Sequence, residues 1–128
     1  MILSSALAHL RVEEIMTLLQ IAFLLFALVA TFGFLMFMLI AFRVRLPKFL
    51  RIGHGIAGFS ALCFLLFALA SAPNAPVHAW WALGLFAAGL LGGVLLFRLI
   101  FPQKSPLVMI AGHGLIGLAG LYLLWGTL

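Results

Sequence analysis

Residues 15–42 read IMTLLQIAFLLFALVATFGFLMFMLIAF, 28 positions without a charged side chain. A helix rising 1.5 Å per residue needs about 20 residues to cross a hydrocarbon layer of about 30 Å, so this run is long enough to span a membrane. It has no strict polar–apolar alternation, and it is several times longer than an ordinary strand. Three further runs follow, at about 49–71, 77–101 and 107–128. The expected architecture is therefore all-α, with four membrane-spanning helices.

Composition points the same way. Of 128 residues, 67% are hydrophobic and 7% charged, whereas soluble domains average about a quarter charged. Water could not solvate that much apolar surface, but lipid can. The length suits one domain, expected to lie in a bacterial inner membrane in contact with lipid and with room for other membrane subunits as partners. The net charge of +5 does not argue for nucleic acid, because the basic residues flank the apolar runs, where they fix topology and meet lipid phosphates. The single cysteine, Cys63, lies inside an apolar run and gives neither an intrachain disulfide nor a CxxC site. Glu13 and Glu14 precede the first long core, which is unlike the basic start of a cleavable signal. Leu3, Leu7 and Leu10 share a helical face, so residues 1–14 are expected to form an interfacial helix or an extension of the first span.

The connections carry helix-breaking chemistry: Pro47 in the first, SAPNAP at 71–76 in the second, PQKSP at 102–106 in the third. Charge then sets an orientation. Arg43, Arg45, Lys48 and Arg51 surround the first connection, and Arg98 and Lys104 the third, which is six of the seven basic residues. The positive-inside rule places these two connections in the cytoplasm and both termini outside. Trp80, Trp81 and Trp125 fall at the opposite interface, as an aromatic belt would.

The chain also matches itself. An offset of 59 sets Pro47 on Pro106, Gly53-His54-Gly55 on Gly112-His113-Gly114, and Gly58 on Gly117. Between 46–69 and 105–128, eight of 24 positions are identical: Pro47, Gly53, His54, Gly55, Gly58, Leu62, Leu65 and Leu69 have the same residue 59 positions later. The expected fold is an integral membrane four-helix bundle made of two parallel two-helix repeats, about 15–71 and 77–128, related by a pseudo-twofold along the membrane normal.

Ionisable groups are costly in hydrocarbon, so His54 and His113 are the leading functional candidates. Each lies about five residues into its span, roughly 7 Å deep, and the repeat puts both at one level. His54, Gly58, Ala61 and Leu65 share one helical stripe; His113, Gly117, Gly120 and Leu124 repeat it. Two readings fit. The small residues let the second and fourth helices touch, with imidazoles hydrogen-bonding across the contact; or they make room for a flat cofactor held at its ends by the two imidazoles, with quinone, chlorin or ion contacts as the remaining alternatives. Zinc fits poorly, since it takes four ligands or three and water, neither span has Asp or Glu, and Cys63 lies more than two turns beyond His54. Haem iron needs only two axial ligands because the macrocycle supplies four nitrogens. Two histidines on different helices of a bundle would suffice. Arg51, one turn before His54, could meet propionates together with Arg43, Arg45 and Lys104.

In helix count and paired histidines the chain resembles the broad class of small transmembrane b-type cytochromes. That resemblance implies a haem b with His54 and His113 as metal ligands, Gly58, Gly117 and Arg51 around it, and a role in electron transport. Other polar residues read as structural. His78 lies beside Trp80 and Trp81 and falls against Leu19 in the repeat, and His9 is equally isolated. Thr17, Gln20 and Thr31 are expected to hydrogen-bond to backbone or across helices, Arg98 to snorkel, and Gly84, Ala88 and Gly92 to form a packing ridge. Single-chain catalysis is disfavoured, because Glu13 and Glu14 lie outside the membrane and are the only carboxylate side chains. The alternatives are a non-catalytic accessory subunit of a larger complex and a small transporter; the latter is weakened by the lack of intramembrane carboxylates.

A reporter fused after Leu128 should be active only outside, and one inserted after Lys104 only in the cytoplasm. Reversal of either would overturn the charge-based orientation.

Overall fold

The computed structural model describes residues 2–72, 74–100 and 106–128, with the side chains of 2–9, 11 and 98 excepted. Four helices make up the described residues: α1 (Ile2–Ala41), α2 (Lys48–Ala70), α3 (Val77–Val94, continued as a π-helical turn over Leu95–Ile100) and α4 (Leu107–Trp125). All four contain segments long and apolar enough to cross a membrane, as the sequence pattern requires. The chain thus has the build of a multi-pass integral membrane protein. Side chains such as Leu28, Phe67, Leu91 and Tyr122, between 61% and 77% exposed, are at home in lipid and would each be unfavourable in water.

Three of the helices begin directly after a proline: Pro47, Pro76 and Pro106 occupy the N-cap positions of α2, α3 and α4. Proline lacks an N–H, which costs nothing there, while its carbonyl accepts the first helical bonds, Ala79 N–H to Pro76 and Met109 N–H to Pro106. Sequence analysis read these prolines as stops; they are also starts. The N-terminal segment is continuous with α1. At 40 residues that helix is about 60 Å long, about twice the hydrocarbon thickness. It therefore projects beyond the bilayer at its beginning.

The C-terminus of α1 closes on a left-handed residue. Val44 N–H donates to the Leu39 carbonyl and Arg43 N–H to that of Ile40, with Arg43 at φ 61°. This is a Schellman turn, in which the left-handed position is most often glycine.

The helices stand in a ring. Each packs on its neighbours in sequence and α4 closes on α1, leaving α1–α3 and α2–α4 as the two diagonals. All four neighbouring pairs are antiparallel, so the bundle has two distinct ends. One carries Arg43, Arg45, Lys48 and Arg51 and is called here the basic end. The other carries His78, Trp80, Trp81 and Trp125, the tryptophan end.

Burial is confined to the tryptophan-end half. Leu19, Ala22 and Phe26 of α1 meet Ala61, Leu65 and Leu69 of α2, Ala79, Ala82 and Phe86 of α3, and Leu124 of α4. At the middle of the bundle Phe26 and Phe86 stack across the α1–α3 diagonal, with ring centroids 3.6 Å apart and planes 4° from parallel. Gly120 makes room for this, since a Cβ there would lie 2.7 Å from the Phe86 ring. Beyond that layer the core stops. Over residues 27–41, 48–60, 90–100 and 107–119 no described side chain is buried. The cause is local composition: nine of the 13 glycines (33, 53, 55, 58, 92, 93, 112, 114 and 117) lie in this basic-end half, so little side-chain volume projects into it.

Arg43→Gly should stabilise the protein by up to about 1 kcal/mol, because glycine enters the left-handed region without the Cβ clash. Reversible unfolding in detergent would measure it; a loss of stability would show that the Arg43 side chain makes a stronger contact than the strain it carries.

Candidate functional site

His54 lies six residues beyond the start of α2 and His113 six beyond the start of α4, one and a half turns in from the basic end. Both stripes turn toward the bundle interior, so the two imidazoles face each other across the α2–α4 diagonal, with ring centroids 6.3 Å apart and planes at 68°. The sequence pairing of these two residues is thus a spatial pairing too.

Each ring rests on a different helix. His54 leans on α1: a Cβ on Gly33 would lie 2.9 Å from its Cε1, and the Phe32 ring is 6.3 Å away, tilted. His113 leans on α3: a Cβ on Gly93 would lie 3.0 Å from its Cε1, and Phe97, in the π-helical turn, meets it edge-on at 5.7 Å. Nδ1 of His54 is buried and has no hydrogen-bond partner among the described residues. A buried imidazole nitrogen left unpaired is unusual, since burial without a bond costs about 1–3 kcal/mol.

The remaining sequence candidates separate. Gly58 does not bring α2 against α4; its Cβ would meet Val29 of α1 at 3.9 Å. Gly117 opens on space, with nothing within 4 Å. Gly120 faces Phe86 of α3, and Ala61 is part of the tryptophan-end core. Direct packing of the second and fourth helices along these residues is therefore corrected. The small residues face α1 and α3 or open space, because antiparallel closure of the ring puts α2 and α4 on a diagonal. Arg51 is exposed at the basic end, as are Arg43 and Arg45. Lys104 and the side chains of His9 and Arg98 lie outside the described residues.

Thr17 and Thr31 bond to backbone as expected, donating to the carbonyls of Glu13 and Ala27, 2.9 and 2.8 Å away in their own helix. His78 is exposed at the tryptophan end. Gly84 and Ala88 are exposed, and a Cβ on Gly84 or Gly92 would meet nothing within 4 Å among the described residues. Among the described residues no group of three His, Cys, Asp or Glu could hold a metal ion.

Sequence reasoning passed over Gly33 and Gly93. A signal was present, but at a different offset. Shifted by 60 rather than 59, the first helix of the chain matches the third at Ala22/Ala82, Leu25/Leu85, Phe26/Phe86, Ala27/Ala87, Gly33/Gly93, Leu35/Leu95, Phe37/Phe97, Leu39/Leu99 and Ile40/Ile100. The one-residue slip lies between the helices of each hairpin. With a single offset, Gly33 falls on Gly92 and the correspondence is lost.

Comparison with protein-family models, curated proteins and solved structures gives no match for this chain. The fold and site define a four-helix membrane protein with one pair of facing histidines.

With Cys63→Ser as background, the paired variant His54→Cys/His113→Cys should be linked within one chain by a short bifunctional thiol reagent. Phe59→Cys/His113→Cys, with position 59 exposed to lipid, should not. Equal linking of both pairs would show that the two histidines do not face each other.

Proposed function

We propose that this protein is a membrane-embedded electron-transfer module of the b-type cytochrome kind, holding one haem b between His54 and His113 near the basic end. The observation that carries the reading is the facing pair of imidazoles in the half of the bundle without a protein core. In a bis-histidine site each ligating nitrogen lies about 2 Å from iron and each ring centre about 1 Å further back, so ring centres stand roughly 6 Å apart. The separation of 6.3 Å meets that requirement.

Three further features support the fit. The donor set is two neutral nitrogens with no third ligand among the described residues, which suits iron already held by four ring nitrogens and suits zinc poorly. Nδ1 of His54 has no partner among the described residues. No described side chain in the surrounding half of the bundle is buried. Bound haem would supply a one-electron couple. The chain's part is to hold two imidazoles at a fixed separation, to keep water from the tryptophan-end side, and to present Arg43, Arg45 and Arg51 to anionic groups at the basic end.

In this reading the bundle is two copies of one hairpin about a pseudo-twofold axis, with Phe26/Phe86, Gly33/Gly93 and His54/His113 as equivalent pairs. The basic end lies in the cytoplasm. A docking role beside this function is favoured by the exposed Gly84–Ala88 ridge, which is free to pack against another membrane subunit.

Protein purified from cells with ample haem should show sharp visible bands on reduction. His54→Ala and His113→Ala should each abolish them, because a single axial ligand cannot maintain a six-coordinate low-spin site, while His78→Ala should leave them unchanged. A colourless wild-type protein would overturn the proposal in favour of a non-catalytic accessory subunit.

A further inference from the structure

The geometry points to Gly33 and Gly93 as the positioning residues of the site, one for each histidine: Gly33 on α1 seats the ring of His54, and Gly93 on α3 seats that of His113. The inference deepens the haem reading and rests on it for function, although the seating itself can be tested without haem.

The argument begins with space. A Cβ on Gly33 would lie 2.9 Å from Cε1 of His54, 3.6 Å from Nε2 and 3.7 Å from Nδ1. One on Gly93 would lie 3.0 Å from Cε1 of His113, 3.5 Å from Nδ1 and 3.8 Å from Nε2. In each case the three nearest atoms all belong to the imidazole, so the histidine is what the missing methyl makes room for. Cε1 comes closest on both sides, followed by Nε2 of His54 and by Nδ1 of His113. The bare helix backbone acts as a flat stop against which the ring rests, on the neighbouring helix of the same hairpin. An added methyl would push the ring toward the opposite histidine and change both its direction and the 6.3 Å separation.

The glycines around the site are not interchangeable, which makes the inference specific. Gly53, Gly55, Gly92, Gly112, Gly114 and Gly117 have nothing within 4 Å of a Cβ position. Gly92 is next to Gly93 in sequence, yet points elsewhere because successive residues on a helix are turned by about 100°. The hairpin therefore carries its site as a Gly–His pair, with 21 residues from Gly33 to His54 and 20 from Gly93 to His113.

The test compares Gly33→Ala, Gly93→Ala and Gly92→Ala in the full-length protein. Groups that orient a metal ligand from behind typically cost 10–100-fold in affinity when altered, so haem retained through purification should fall by about tenfold or more in Gly33→Ala and Gly93→Ala. Gly92→Ala should retain wild-type haem. In haem-free protein labelled at histidine nitrogens, Gly33→Ala should move the magnetic resonance signals of His54, Gly93→Ala those of His113, and Gly92→Ala neither. Should an alanine variant fail to fold, Gly33→Ala/His54→Ala and Gly93→Ala/His113→Ala decide the matter. Folding should return, because the methyl then meets no ring. Equal effects of Gly92→Ala and Gly93→Ala, or double variants no more stable than the single ones, would overturn the assignment. A colourless wild type with the expected histidine shifts would overturn the haem reading and leave the seating intact.

Discussion

Over about 30 Å of each helix there is no water to accept a stray hydrogen bond, and the rest of this structure follows from that constraint. Every backbone group at that depth has to be satisfied within its own helix. The prolines sit at helix N-caps, where the absent N–H is not missed. Three of the described hydroxyls bond to carbonyls one turn back, Thr17 to Glu13, Thr31 to Ala27 and Ser71 to Phe67. Lipid is as apolar as leucine, so the helices gain nothing by hiding leucines from it. What joins them is closeness of fit. The Phe26–Phe86 stack, seated over Gly120, and the Leu19, Leu65 and Leu124 cluster supply that fit at one level of the bundle.

The two halves of the bundle consequently do different things. The tryptophan-end half is a packed core that holds four helices in a closed antiparallel ring. The basic-end half carries nine of the 13 glycines and no buried described side chain, and in it two imidazoles face each other. An ionisable ring in an under-packed apolar region serves stability poorly: it adds polarity without filling volume, and His54 does not satisfy its own Nδ1. A half-bundle of this kind is easier to understand as a receptacle than as a scaffold. The packed half then fixes the helix directions on which the separation of the histidines depends.

The site is near-symmetric without being symmetric. Residues 35–40 and 95–100 share Leu, Phe, Leu and Ile at corresponding positions, yet the first stretch is α-helical and the second π-helical. Phe97 consequently meets His113, whereas the aromatic neighbour of His54 is Phe32. A Cβ on Gly89 would meet Ile116 of α4, and the corresponding residue on α1 is Val29. The two histidines thus occupy one geometric frame with different neighbours.

Hydropathy, proline placement and basic flanks made the four spans legible to within a residue or two for the starts of the second, third and fourth. They worked because span length and charge are properties of a chain in lipid, whatever it packs against. The histidine pair was legible for a similar reason: a GHG segment repeated at equal depth is a one-dimensional signal. The partner faces were not. Helical periodicity put Gly58, Ala61, Gly117 and Gly120 on the stripes of the histidines, but which helix those stripes meet depends on how four antiparallel rods close into a ring. Closure set α2 and α4 on a diagonal and turned Gly58 to Val29 and Gly120 to Phe86. The same closure brought Gly33 and Gly93 under the imidazoles from the helices that carry neither His54 nor His113. No stretch of sequence encodes a contact between elements some 20 residues apart. The sequence by itself determined that this chain has four segments long and apolar enough to cross a membrane, with the same GHG histidine in the second and the fourth. Only the tertiary structure decided that those histidines face each other and what stands behind each, because a short-range contact is settled by packing in three dimensions and not by order along the chain.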